Sequence, residues 1–252
     1  MSANEYITMN SCVIIPARYA SSRYPGKPLV PLLGKPMILW VAERSADAVG
    51  REHVYVATED ERIVRVVEEA GFNALMTDSG ALTGTDRLAE AANQIDYDIY
   101  VNVQGDEPMV DPADIRRCIQ IKTAEPGSII NGFCWVALDE DPTNVNLPKV
   151  ITNEAGQLVY LSRAALPAYK DANDAPDRYK KQVCIYGFAR EELEAFAGFG
   201  RKSLLEQAED IEILRFFELG YPIQMFECRP GLAVDVPADV ERVEKALRAE
   251  SA

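Results

Sequence analysis

Three cations, Arg18, Arg23 and Lys27, fall within the stretch Pro16-Ala-Arg-Tyr-Ala-Ser-Ser-Arg-Tyr-Pro-Gly-Lys-Pro28. Small residues stand among them, Ala17, Ala20, Ser21, Ser22 and Gly26, and these let backbone N–H groups approach an anion closely. Guanidinium forks and an ammonium so spaced can neutralise several phosphate charges at once. The surroundings sharpen the signal. No Asp or Glu occurs in the 37 residues from Tyr6 to Ala42, where 40 acids in 252 residues would place about six. An acid-free basic stretch in an acidic chain suits a small polyanionic ligand. It is neither a Walker A sequence nor a GxGxxG, and its composition also fits an ordinary basic surface loop turning at Pro25-Gly26.

Two carboxylates complement those cations. Val101-Asn-Val-Gln-Gly-Asp-Glu-Pro108 reads as a buried strand ending in Gln104-Gly105-Asp106. Leu232-Ala-Val-Asp-Val-Pro-Ala-Asp239 repeats the pattern, an apolar run, then Asp235, then a proline opening a helix. Magnesium prefers one or two carboxylates together with phosphate oxygens and water, so Asp106 and Asp235 could share a phosphate-bound ion. Each aspartate taken alone also fits a helix cap or a turn.

Strands are expected at Ser11–Pro16, 53–58 and 98–104, bounded by turn residues. Helical spacing occupies Met37–Val49, 60–70 and 85–94, with Ile63, Val66, Val67 and Ala70 on one face. Pro36 suits a first turn, and Thr58-Glu-Asp-Glu reads as a cap followed by acids that the helix dipole favours. Such alternation predicts right-handed βαβ units and a mostly parallel sheet with helices on both faces. The basic stretch then follows the first strand, at the carboxyl edge where open α/β sheets bind ligands. The second half predicts strands at 128–138, Lys149–Thr152, 157–161, 183–188 and 223–228. Ala155-Gly156 reads as a hairpin turn, 204–219 as one long helix, and a last helix starts at Pro237. The whole reads as one α/β domain over 1–252 with a strand-bearing excursion near 139–182 that suits subunit contact.

Composition removes other classes. With 26 Lys+Arg against 40 Asp+Glu the chain carries −14, which leaves no basic excess for a nucleic acid. Hydrophobic residues at 48% and charged ones at 26% describe an ordinary globular protein. Apolar runs are too short to span a bilayer, and Met1-Ser-Ala-Asn-Glu-Tyr-Ile lacks the form of a secretory signal. Five scattered cysteines without a CxxC pair imply reduced thiols and a cytoplasmic setting. His53 is the single histidine and precedes a strand, which argues for a structural role and against a Ser-His-Asp triad or a polyhistidine metal centre.

Longer stretches resemble a known family. IIPARYASSRYPGKPL at 14–29, VATED at 56–60, TGTDRLAE at 83–90, VNVQGDEPMV at 101–110, YLSRAALP at 160–167 and VDVPADVERV at 234–243 are similar to the 3-deoxy-manno-octulosonate cytidylyltransferases, the CMP-Kdo synthetase family. The resemblance spans nearly the whole chain and implies a Rossmann-like nucleotide-diphospho-sugar transferase fold. It implies that the loop with Pro16, Ala17, Arg18, Ser22, Arg23 and Lys27 wraps the CTP triphosphate, with Gly84, Thr85 and Gln104 near the nucleotide. It further implies Mg²⁺ on Asp106 and Asp235, catalytic roles for those aspartates with Arg18, Arg23 and Lys27, and a cytoplasmic homodimer serving surface-polysaccharide assembly. Arg87, Arg163, Gln182, Tyr186 and Glu212 are assigned to the sugar side, an arginine pair suiting a carboxylate.

The chain departs from the family pattern on that side. Where members carry His-x-Gly-x-Tyr, this sequence has Gln182, Cys184 and Tyr186, and Glu-Gln-Leu-Arg becomes Glu212-Ile-Leu-Arg215. An unpaired buried hydroxyl costs about 1–3 kcal/mol. The acceptor is therefore open between Kdo and a related acid, such as an amino or deoxy variant, another ulosonic acid or a phosphonate. A metal-dependent glycosyltransferase and a non-catalytic nucleotide-binding regulator are the alternatives of other kinds.

Overall fold

The structure, a computed structural model, describes residues 10–20 and 24–250. Strand β1 (Ser11–Pro16) leads through the basic loop to a two-strand hairpin, β2 (Pro31–Leu32) and β3 (Lys35–Pro36), and then to helix α1 (Met37–Val49). Next come β4 (Val54–Thr58), α2 (Glu61–Glu69), β5 (Asn73–Met76), α3 (Gly84–Ala92), β6 (Ile99–Val103) and α4 (Pro112–Ala124). The second half runs β7 (Ile129–Trp135), β8 (Lys149–Thr152), β9 (Leu158–Ser162), β10 (Lys180–Phe188) and α5 (Arg190–Gly198). Two short helices, α6 (Leu204–Glu209) and α7 (Leu214–Glu218), precede β11 (Ile223–Glu227) and α8 (Asp239–Glu250).

The sheet order is β11-β7-β10-β6-β1-β4-β5. β1 pairs in parallel with β4 and β6, β4 with β5, and β7 with β11. β10 runs antiparallel between β6 and β7, so the expected mixed, mostly parallel sheet is present. β6 is buried along its whole length, as a strand covered on both faces must be. Alternate side chains feed two cores: Val101 and Val103 pack with α1, α2 and α4, while Tyr100 packs with α3, α5 and α7. A third, smaller core of Leu32, Met37, Val234, Val243 and Leu247 fastens α8 and the chain before it to the hairpin. That core fixes the position of Asp235.

Local chemistry explains most helix starts. Thr83 accepts from the Asp86 N–H to begin α3, and Asp111 accepts from the Ala113 N–H to begin α4. The cap of α2 is Asp60 and not Thr58, whose hydroxyl instead accepts from the Asp60 N–H. Five elements escaped the periodicity reading: the hairpin strands β2 and β3, β5, α4 and α5. The long helix expected over 204–219 is two helices, because Asp210 adopts a left-handed conformation at φ 51° between them. Glu209 and Glu212, on either side of this corner, are held by separate parts of the fold, which a continuous helix would not permit. The stretch before Asp235 is extended chain and not the strand its apolar run suggested.

The excursion joins the sheet through β8, which pairs with β10, and β9, which pairs with β8. Its turn closes at Gly156 with φ 79°, as the Ala155-Gly156 signal required. His53 is structural, its Nδ1 lying 3.0 Å from the Tyr97 hydroxyl. All five cysteines are free thiols. Among the described residues no helix is long and apolar enough to cross a membrane.

Candidate active site

A cleft of about 730 Å³ opens at the carboxyl ends of β1 and β6. Its first wall is the chain leaving β1, where Pro16, Ala17, Arg18 and Lys27 line the space. Gly26 turns that chain with φ 71°, and its missing side chain admits the Tyr19 ring, which would lie 3.2 Å from a Cβ. Arg18 is exposed, and among the described residues no carboxylate pairs with it. Ser22 and Arg23 lie outside the described residues.

The floor comes from β6. Gln104 and Asp106 line the cleft, and Gly105 between them passes so close to β1 that a Cβ would sit 3.0 Å from the Pro16 carbonyl oxygen. Glycine at 105 therefore lets the two strand ends converge. Lys27 Nζ reaches Asp106 Oδ2 at 2.5 Å and Asp235 Oδ1 at 3.8 Å. The aspartates are neighbours because the Val234 N–H donates to the Asp106 carbonyl at 3.0 Å, a backbone link between segments far apart in sequence. Lys27 bridges an oxygen of each, and an all-oxygen set of two carboxylates matches what magnesium takes from a protein. Among the described residues no group of three or more His, Cys, Asp or Glu side chains could hold an ion, so phosphate and water would complete the shell.

Beside Asp106, Glu107 is pushed up to about 8, by burial first and then by the charges of Asp106 and Asp235. Sequence reading passed over it, although adjacent acids closing a buried strand were a usable signal. Asn102, one step back on the Gln104 side of β6, is fully buried with both amide atoms unpartnered. Tyr186 on β10 faces it in register.

The opposite wall is α3 with the 202–212 segment. Gly84 lines the cleft and lies against Gln104, whose Nε2 would be 3.3 Å from a Cβ at position 84. The Gly84 and Thr85 N–H groups donate to Glu212 at 3.0 and 2.9 Å, and the Thr85 hydroxyl adds a third bond at 2.6 Å. Thr85, assigned to the nucleotide, is thus buried with its donors engaged within the protein. Glu212, assigned to the sugar, lines the cleft while sealing the first turn of α3.

Both sugar-side arginines line the cleft, and the guanidinium of each is engaged within the protein. Arg87 is buried, bonds Thr77 Oγ1 at 2.5 Å and pairs with Glu59 at 2.9 Å. Glu59 in turn accepts from the Tyr19 N–H at 3.0 Å, so Arg87 steadies the basic loop from behind. Arg163 borders the cleft, but its guanidinium donates to the carbonyls of Glu209, Val145 and Asp210. Gln182 and Tyr186 do not line the cleft. The Gln182 amide donates to Asn131 Oδ1 at 3.1 Å and to the Tyr186 hydroxyl at 3.3 Å, and burial raises the Tyr186 phenol. Ile213 is fully buried in the core under α7.

Arg215 ends the Glu212-Ile-Leu-Arg215 motif, and sequence reading gave it no role. It is fully buried, pairs with Asp86 and Glu206 at 2.7 Å each, and stacks on Phe196. Through those partners it ties α6 to the start of α3.

A family profile described as cytidylyltransferase matches residues 12–224. A protein of Escherichia coli named 3-deoxy-manno-octulosonate cytidylyltransferase is 38% identical over 241 residues, covering 95% of this chain and 97% of its own. One of Geotalea daltonii with the same name is 42% identical over 252 residues, with 95% and 99% covered. A Shewanella baltica protein named 8-amino-3,8-dideoxy-manno-octulosonate cytidylyltransferase is 39% identical over 250 residues, again with 95% and 99% covered. The solved structure of CMP:2-keto-3-deoxy-manno-octonic acid synthetase complexed with CTP superposes with a TM-score of 0.88 at 38% identity, covering 96% of this chain and 100% of that one. A Leptospira borgpetersenii cytidylyltransferase at 18% identity and TM-score 0.63 shares the fold, covering 96% of this chain and 87% of that one.

Proposed function

The chain belongs to the cytidylyltransferases, in the 3-deoxy-manno-octulosonate branch, and from that premise we propose that it transfers CMP from CTP to the anomeric hydroxyl of a 2-keto-3-deoxy sugar acid, Kdo by default, with magnesium. The observation that carries this reading is the convergence of Asp106, Asp235 and Lys27 beneath an acid-free loop that leaves Arg18 available. Two carboxylates beside phosphate-binding cations suit phosphoryl transfer, in which positioning and charge stabilisation dominate.

In the proposed reaction the anomeric oxygen forms a bond to the α-phosphorus while the bond from that phosphorus to the bridging oxygen of pyrophosphate breaks. The hydroxyl releases one proton and pyrophosphate departs. Arg18 and Lys27 offset the charge gathering on the leaving group. Gln104 and Gly84 border the space for the nucleotide, and Glu212 holds the Gly84 end of α3 in place by accepting from the Gly84 N–H. Asp106 and Asp235 would hold magnesium, which supplies charge neutralisation at the α-phosphate and a lowered pKa for the attacking hydroxyl. No imidazole is required.

An amino-substituted acceptor is the second reading. It rests on the 39% identity to a protein named for the 8-amino acid, which is level with the 38% and 42% to proteins named for Kdo itself. We assign the excursion to homodimer contact, since Val159 and Tyr169 within it and Leu138 at its start present exposed apolar surface. A cytoplasmic enzyme of surface-polysaccharide assembly is the setting this implies. Pyrophosphate release with CTP against Kdo, its 8-amino form, other ulosonic acids and phosphonates tests the proposal. Release with one of these acids is expected, and CTP left intact across the panel would refute it. Pyrophosphate release also separates this reading from a glycosyltransferase and from a silent regulator.

A further inference from the structure

We infer that Lys27 is the resident counter-ion of the Asp106–Asp235 pair, holding the metal seat closed until a triphosphate draws its ammonium away. The inference rests on the proposed cytidylyl transfer and concerns the order in which the site is filled.

The geometry supplies the conflict. One ammonium lies 2.5 Å from Asp106 and 3.8 Å from Asp235, in the space between carboxylates that a divalent ion would share. Two cations cannot both occupy that space, since a unit charge and a double charge at contact distance repel even where one carboxylate, Asp235, is half exposed to water. The Lys27 side chain is 15% exposed and that of Asp106 26%, so water screens this contact only in part. Ion binding therefore requires Lys27 to leave, and its departure in turn needs another anion to receive it.

The loop is built for such a departure. Around Lys27 the backbone is pinned: the Gly26 N–H donates to the Tyr19 carbonyl at 2.9 Å, the Lys27 N–H to the Tyr24 carbonyl at 3.1 Å, and the Lys27 carbonyl accepts from Val30 at 3.1 Å. Pro28 stiffens the next position. Only the flexible four-carbon stem is left to move, and rotation about its bonds carries the ammonium from the aspartates into the cleft that Lys27 also lines. Arg18, exposed on the same wall, marks where a polyanion would gather. A triphosphate thus takes Lys27 as a partner and removes its ammonium from Asp106 and from beside Asp235 in one motion. Metal held without nucleotide is disfavoured, and the lysine that clears the seat is then beside the departing pyrophosphate.

The experiment measures Mn²⁺ binding to the nucleotide-free protein by the paramagnetic signal of the free ion. It compares wild type, Lys27→Met, Lys27→Gln, Arg18→Met and the double variant Lys27→Met/Asp106→Asn, each first shown to keep its thermal transition. Either Lys27 variant is expected to bind Mn²⁺ roughly tenfold or more tightly than wild type, as the removal of a competing contact cation predicts. The double variant should lose that gain, and Arg18→Met, which removes an equal charge outside the pair, should change affinity by no more than about twofold. Equal affinity in wild type and both Lys27 variants, tight or weak, overturns the inference. So does a gain that survives Asp106→Asn, or one that Arg18→Met reproduces. Failure of the transfer reading itself is a separate outcome, seen as absent pyrophosphate release by wild type.

Discussion

The two walls of the cleft are built on opposite electrostatic plans. On the β1–β6 side the charged groups face the cleft: Arg18 is exposed, and Lys27 is shared between Asp106 and Asp235 at its edge. On the 202–215 side most are turned inward, Arg215 onto Asp86 and Glu206, Glu212 onto the α3 backbone and Arg163 onto three carbonyls, while Lys202 and Asp210 pair with each other at the cleft surface. The first wall keeps charge for a ligand. The second spends it on rigidity, which is how a short helix of six residues can stand as one side of a binding site. Chemistry and positioning are thereby divided between two regions, and substitutions on each should fail differently.

The largest effect should fall on the β1–β6 wall. Asp106→Asn is expected to lower turnover by about 10²–10³-fold while the thermal transition stays near wild type, because charge stabilisation is lost and packing is not. Near-normal pyrophosphate release would erase the division. On the other wall, Arg215→Met should leave Asp86 and Glu206 without their buried cation and cost about 3–5 kcal/mol, read from urea unfolding. A stable Arg215 variant would mean the inward network is ornamental.

Glu212→Gln sharpens the comparison further. An amide supplies one acceptor oxygen where the carboxylate uses two, so the first turn of α3 loses a bond worth about 1–2 kcal/mol. We expect the acceptor KM to rise roughly tenfold, with the CTP KM little changed; equal shifts in both would place Glu212 on the nucleotide side. The smallest effect on catalysis belongs to Ile213→Gln. Buried as Ile213 is, the amide should cost about 1–3 kcal/mol of stability and bring no improvement with Kdo, whereas better Kdo use would show that position 213 reaches the acceptor.

Legibility in the sequence followed the range of the interactions concerned. β1, α1 and β8 lie where residue patterns placed them, because alternation and a 3.6-residue period are local properties. α4 and α5 were overlooked, and α4 carries the buried lysine Lys122 on its inward face, paired with Glu192 of α5 at 2.6 Å. A lysine there reads as solvent-facing until its partner is known. The break at Asp210 was equally hidden, since the Glu209 carboxylate is held by the Ser162 hydroxyl and the Arg163 N–H, and Glu212 by α3.

Residue types alone determined that this chain carries an acid-free basic stretch and two aspartates that each follow an apolar run, because such features are written in consecutive residues. Only the folded molecule decided that Asp235 stands beside Asp106, through a single N–H donated by Val234 to the Asp106 carbonyl across the whole second half of the chain. It also decided which charges stay available. Arg18, Arg87, Arg163 and Arg215 are the same residue in sequence. Their differing fates follow from whether a carboxylate or carbonyl closes on each guanidinium, and that depends on contacts between segments that no local pattern encodes.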